Sequence, residues 1–260
     1  MAVLTAYDLG FIVSLPDAPA FREGLGMQMR MTFRSQPSDD DSTAFGALVT
    51  AWLMLASVGA MCGESIQADL SLVEDWAGPV MRQQSLSWSL SGARLDPRAV
   101  VVLAHMLREE HARFPLSRLD LFVMGRQGSN QLVVYDPDAW DVYPGVDKSV
   151  RFPIQTHDQI MSEARILLTF RAVPNADQRK AISDALLTWA ASASMGGYGI
   201  APAPTHHSGF VASNDFEFVD EEVDWLLTSY MAHEGAAHSL INTVAAIDRS
   251  ILEVAALVVE

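Results

Sequence analysis

The chain has 260 residues, half of them hydrophobic, enough for one large domain or two ordinary ones with real cores. Its 32 acidic side chains oppose 17 basic ones for a formal charge of −15, and a surface of that sign repels nucleic acid and anionic lipid. Cys62 is the only cysteine, which excludes an internal disulfide and any cysteine-rich zinc site.

From Leu4 to Ser14 the sequence is apolar and partly alternating, the pattern of a strand that Pro16 stops. No basic residue precedes this apolar stretch, unlike a secretory signal, so the expected location is the cytoplasm. Met27, Met29, Met31 and Phe33 then alternate with Gln28, Arg30, Thr32 and Arg34, a strand with one face in a core. Asp39, Asp40, Asp41 and Ser42 mark the start of a helix that runs to about Met61. Its uncharged run, Ala44 to Met61, is flanked by acids with no lysine or arginine nearby and reads as a core helix, not a membrane span. Ser65 to Val73 reads as a strand or an irregular crossing. Leu86, Trp88 and Leu90 alternate with serines from Ser85 to Ser91 as a further strand. Asp96 and Pro97 fit the N-cap and first position of a helix whose apolar face is Val100, Leu103, Ala104 and Leu107. Leu119 to Met124 closes this half as a strand.

Gly125 to Asn130 reads as a loop and Leu132 to Tyr135 as a short strand, within a linker region of about 125–163. A strand over Ile166 to Arg171 follows, then a helix over Asp177 to Ser194 and a passage with Gly196, Gly197 and Gly199. A loop from Pro202 to Ser208 leads to a strand within Phe216 to Tyr230, a helix over Glu234 to Asp248 and a last strand over Ile251 to Val259.

The second run repeats the first. Thr32, Phe33, Arg34 and Pro37 recur as Thr169, Phe170, Arg171 and Pro174, each 137 positions later, and the same offset carries Trp88 onto Trp225. One residue of slippage brings Ala47, Leu48 and Thr50 onto Ala185, Leu186 and Thr188. The expected fold is therefore α+β: two tandem ferredoxin-like βαββαβ halves from an internal duplication, 1–135 and 136–260, each an antiparallel sheet with helices on one face.

No catalytic constellation stands out. His233, Glu234 and His238 approach the HExxH zinc motif, but their histidines are five apart and fall on different helix faces, even with His206 and His207 nearby. The glycine clusters lack the Lys-Ser/Thr pair of a phosphate loop, and no nucleophile elbow is present. Cys62 reads as a small buried residue, Arg34 and Arg171 as partners of carboxylates in their own halves, and Trp88 and Trp225 as core. No catalytic residue, metal or cofactor is implied. The halves differ in their acids: Asp215, Glu217, Asp220, Glu221, Glu222 and Asp224 crowd ten residues, while Ala77 to Ser87 has none. Such repulsion is relieved by a cationic partner, and these six residues are the candidate partner-binding site.

In size, charge, element order and texture the chain resembles the immunity proteins of bacterial polymorphic and type VI secretion toxin systems. Among these it looks like the immunity protein 52 family, paired with restriction-endonuclease-like nuclease toxins. The resemblance implies a non-enzymatic one-to-one inhibitor that binds a basic toxin, and the acidic charge argues against nucleic acid or membrane contact. The alternative is an enzyme or small-ligand binding protein that uses a cleft between the halves. A homodimer is compatible with either.

Overall fold

The computed structural model describes residues 10–16, 25–61, 73–96, 98–125, 131–132, 145–156, 163–197, 211–228 and 235–260. Of the strand expected from Leu4 to Ser14, β1 spans Ile12–Leu15; Gly10 and Phe11 precede it outside the strand, and residues 1–9 lie outside the described set. It joins β2 (Leu25–Phe33), β3 (Asp75–Arg82), β4 (Ser85–Ala93), β5 (Leu116–Val123) and β6 (Gln131–Leu132) in a sheet of order β3-β4-β2-β5-β1-β6. Helices α1 (Asp39–Ser57) and α2 (Ala99–Arg113) belong to this half. The second sheet has the order β7-β11-β8-β10-β9, built from β7 (Ile154–Thr156), β8 (Glu163–Phe170), β9 (Val211–Val219), β10 (Glu222–Thr228) and β11 (Val254–Val259), with α3 (Ala176–Ser192) and α4 (Gly235–Ser250). The class is α+β. The described strands of the first sheet end at Leu132 and those of the second begin at Ile154.

The two sheets share more than a class. Counted from β2 and from β8, the strands lie second-third-first-fourth in each, all antiparallel, and β1 and β7 each add a parallel strand beside the fourth. The register repeats too. Met29 pairs with Trp88 and Ile166 with Trp225, so both partners move by the one offset. In each half a two-residue turn joins the second and third strands, and its first residue has positive φ: Gln83 at 51° and Asp220 at 50°. Behind each turn the first strand closes with the same bond, Phe33 N–H to Gln84 O at 2.8 Å and Phe170 N–H to Glu221 O at 2.8 Å. A bulge interrupts the pairing of first and fourth strands at the same place, opposite Thr32 and Phe33 in one sheet and Thr169 and Phe170 in the other.

The helices begin alike. Ser38 and Asn175 each accept a backbone N–H from the third helical residue, and Asp41 and Gln178 answer with bonds to the cap N–H. These caps fix the helix phase, and the buried positions Phe45, Val49 and Trp52 correspond without slippage to Ile182, Leu186 and Trp189. This corrects the one-residue shift suggested by the sequence. Val49, not the partly buried Leu48, occupies the place of Leu186.

Burial explains why the core holds. On β2, Met27, Met29, Met31 and Phe33 are 0–1% exposed, and the largest fully buried side chains are Trp52, Trp88, Trp189 and Trp225. The helices meet across the halves: α1 packs on α3, and Ser192 Oγ donates to Ala51 O at 3.0 Å in the buried contact. Helix α4 is buried from Gly235 to Asp248 except around Ala237 and His238, as a helix enclosed on all sides must be. Among the described residues no helix is long and apolar enough to cross a membrane.

Segment 145–151 is fastened to α4 by polar contacts. Asp147 N–H donates to Asn242 Oδ1 at 2.9 Å, and Asn242 Nδ2 donates to Gly145 O at 3.0 Å. Arg249 Nη2 meets Asp147 Oδ2 at 2.6 Å, and Arg151 Nη2 meets Asp248 Oδ2 at 2.8 Å. Asp248 Oδ1 also accepts the Val254 N–H at 2.9 Å, tying the end of α4 to the start of β11.

Several boundaries differ from expectation. The second strand of the first half is β3, later than Ser65 to Val73, most of which lies outside the described residues. The helix expected from Asp96 begins at Ala99, and the Asp96 carboxylate instead accepts the Arg98 backbone N–H at 2.9 Å and pairs with its guanidinium. Strand β7 arises inside the expected linker, three residues long and recruited by β11.

Candidate protein-binding face

Strands β9 and β10 form a hairpin, and the acidic stretch is that hairpin. The sequence suggested acids lying ahead of the tryptophan strand; instead Asp215 and Glu217 are on β9, Asp220 and Glu221 make the turn, and Glu222 and Asp224 are on β10. Strand β9 was hidden by its polar Ser213-Asn214-Asp215. The register shift there explains it: Phe216 pairs with Trp225 but Ala212 with Leu227, so β9 spends extra residues that β10 does not. The side chain of Asp215 lies outside the described set.

Strand alternation decides which way the acids point. Val223, Trp225 and Leu227 are buried, and Phe216 stacks edge-on against Trp225 with ring centroids 5.4 Å apart. Glu222, Asp224 and Glu217 therefore lie on the opposite, outer face of the sheet. Asp224 is held by Arg165 of β8 through two parallel bonds, Nε to Oδ1 at 2.9 Å and Nη2 to Oδ2 at 2.5 Å. This pairing holds the Asp224 carboxyl below its ordinary range and raises the Arg165 guanidinium above its own. Thr169 Oγ1 reaches Glu222 Oε2 at 3.4 Å. Glu217 lies directly opposite Asp224, a like-charge pair that costs stability. Among the described residues Glu217, Asp220 and Glu221 have no ion-pair partner, so their charge is presented outward.

The sequence did not single out Arg165. Its alternation with the buried Ala164 and Ile166 places it on the outer face, but only the register reveals a partner 59 residues away.

The other candidates settle into the scaffold. Trp88 and Trp225 are 1% and 0% exposed. Arg171 pairs with Glu253 at 2.9 Å, both well exposed, a contact of small energetic value. Arg34 instead lies near His111. Among the described residues no three His, Cys, Asp or Glu side chains are grouped to hold a metal ion; Cys62, His206, His207, His233 and Glu234 lie outside them.

His111 has a definite role in packing. Its Nδ1 accepts the Leu116 N–H at 3.1 Å and its ring packs on Phe11, centroids 5.2 Å apart. Burial, and then the positive charge of Arg34, pull its pKa below the ordinary 6.5. Above pH 6.5 the ring is neutral in both states and contributes no pH dependence; below it the unfolded chain takes up a proton that the fold resists. Urea midpoints should therefore fall more steeply below pH 6.5 for the native chain than for His111→Asn, and parallel curves would remove this contribution.

No family model and no curated protein matches the chain. Among solved structures, a Cas6 in its product complex aligns over 91% of this chain and 99% of that one, at 13% identity and a TM-score of 0.19. A likeness at that score carries no argument about fold or function.

Proposed function

We propose that the chain is a non-enzymatic binding protein that neutralises a basic protein toxin in the cytoplasm, and that its halves are diverged copies of one ferredoxin-like unit. The common strand order, register, turn and bulge support the duplication. One observation carries the binding reading: the acidic hairpin has an uncharged counterpart with the same backbone. At the common offset Asp220, Glu221, Glu222 and Asp224 stand where the first half has Gln83, Gln84, Ser85 and Ser87. A turn and pairing that form without these acids do not need them for folding, and their mutual repulsion is a standing cost. A basic partner relieves that cost and is drawn in faster by it.

The test uses the protein encoded beside this chain, purified as an inactive variant. It should form a one-to-one complex. Glu221→Lys with Glu222→Lys should slow association at least ~10-fold at low salt and flatten its salt dependence. Asp224 is better left intact, since reversing it breaks the Arg165 pair. Unchanged association kinetics, or no complex with a neighbouring basic protein, would end this reading.

A further inference from the structure

The outer face of the second sheet carries a second anomaly beside its acids. Leu167 and Val258 are directly paired there, Leu226 stands diagonally next to them at 37% exposure, and Val219 is 55% exposed at the hairpin end. Outward positions of a solvent-facing sheet are ordinarily polar. The first sheet is polar at the matching sites, with Arg30 paired with the buried Asp120 in place of Leu167 with Val258, Ser89 in place of Leu226, and Arg82 in place of Val219, while Val80 and Ile12 are exposed apolar residues of its own on that face. At these matched sites the two outer faces differ in chemistry, although each carries exposed apolar side chains.

We infer that this outer face is a docking surface, with Leu167, Leu226 and Val258 as its apolar floor and the acidic hairpin as its flank. The inference rests on the neutralisation reading and sharpens it, since it makes apolar contact the second half of recognition. The occupant is a protein surface that presents apolar side chains bordered by lysine or arginine. Apolar side chains set around the Arg165–Asp224 pair and bordered by Glu217 and Glu222 suit that combination and no uniformly basic surface. A second copy of the chain would bring two acidic hairpins together and is disfavoured by like charge. Charge here sets the rate of encounter, and the apolar floor sets the lifetime of the complex.

Two synthetic peptides of equal charge separate these contributions: one alternating lysine with leucine, the other lysine with serine. Titrated into isotopically labelled protein, the lysine-leucine peptide should bind about ten-fold tighter, worth about 1.4 kcal/mol, and shift the resonances of Leu167, Leu226 and Val258. Leu167→Thr with Leu226→Thr, which keep strand propensity, should reduce that affinity to the lysine-serine level without changing the melting curve. Lack of a preference between the peptides, including lack of any binding, would overturn the docking floor. Lysine-serine binding that survives Glu221→Lys with Glu222→Lys would count instead against the acidic flank, and so against the neutralisation reading. Concentration-dependent dimers in sedimentation that Leu226→Thr dissolves would overturn the assignment of occupant and make the face a self-interface.

Discussion

Replacing Trp52 with alanine should lower the free energy of unfolding by about 3–5 kcal/mol, as truncation of a large buried aromatic does. The side chain has no exposure, and its Nε1 donates to Ala99 O at 2.9 Å, which joins the middle of α1 to the first turn of α2. Alanine leaves a cavity at the contact of the two helices, and rigid neighbours close only part of it. Trp52→Phe should cost distinctly less, because most of the ring volume stays and the lost hydrogen bond is worth about 1 kcal/mol. The loss should not stay within one half. Helix α1 also packs on α3 through the buried Ala51–Ser192 contact, so urea curves followed by far-ultraviolet circular dichroism and by tryptophan fluorescence should move together. Separate transitions, with only the first-half signals shifted, would show that the two cores act independently.

Asp147→Ala should cost about 3 kcal/mol, the lower end of what breaking a buried pair costs, because it leaves the partly buried Arg249 without its carboxylate. Asp147 is 4% exposed and the Arg249 side chain 19%; one carboxylate oxygen faces the guanidinium while the other accepts the Ser149 N–H at 2.8 Å and its hydroxyl at 2.7 Å. Removing the carboxylate takes away the acceptor of both Ser149 donors and the charge partner of Arg249, whose guanidinium keeps its bond to Ser149 Oγ. Asp147→Asn keeps the shape and some acceptors, so it should fall between the two. A double-mutant cycle with Arg249→Met isolates the pair: if the charge is the cause, the double variant should recover most of the loss. Amide exchange offers a second readout. Protection should drop from Asp147 through Thr156, the segment this network fastens to α4, before it drops in α4 itself. A uniform change along the chain would mean that the network is not what holds the segment.

What could be read from the sequence were the elements whose information is local. The alternation of Met27, Met29, Met31 and Phe33 fixes both a strand and its buried face, and the acids of Asp39 to Asp41 mark a helix start within a residue of the observed one. Repetition extended that reach, since Trp88 and Trp225 sit at matched register positions in the two sheets. What escaped depends on partners far away in the chain. Strand β7 has three residues and exists because β11 lies beside it. Strand β9 breaks its own alternation at a bulge that only pairing with β10 defines. The helix slippage came from matching letters, Leu48 with Leu186, where burial selects Val49. At the candidate site the acids themselves were legible. Their division into Asp224, neutralised by Arg165, and Glu217, Asp220 and Glu221, presented outward, needed the register of three strands. The apolar floor was equally hidden, because Leu167, Leu226 and Val258 look like core residues until the strand phase turns them outward.

On the docking proposal, the difference between the two outer faces at their matched sites also limits valency. If both sheets carried an apolar floor, every molecule would have two adhesive surfaces, and a basic partner with two matching patches would be strung into open chains. Arg30 and Ser89 stand exposed where the second sheet has Leu167 and Leu226, so the proposed floor would occur once in the molecule. A symmetric pair of separate half-size subunits has no such freedom, because each substitution would appear on both of its faces. Joining the halves in one chain lets the sites of one sheet change while the matching sites of the other stay polar, so the proposed floor would be met once per molecule.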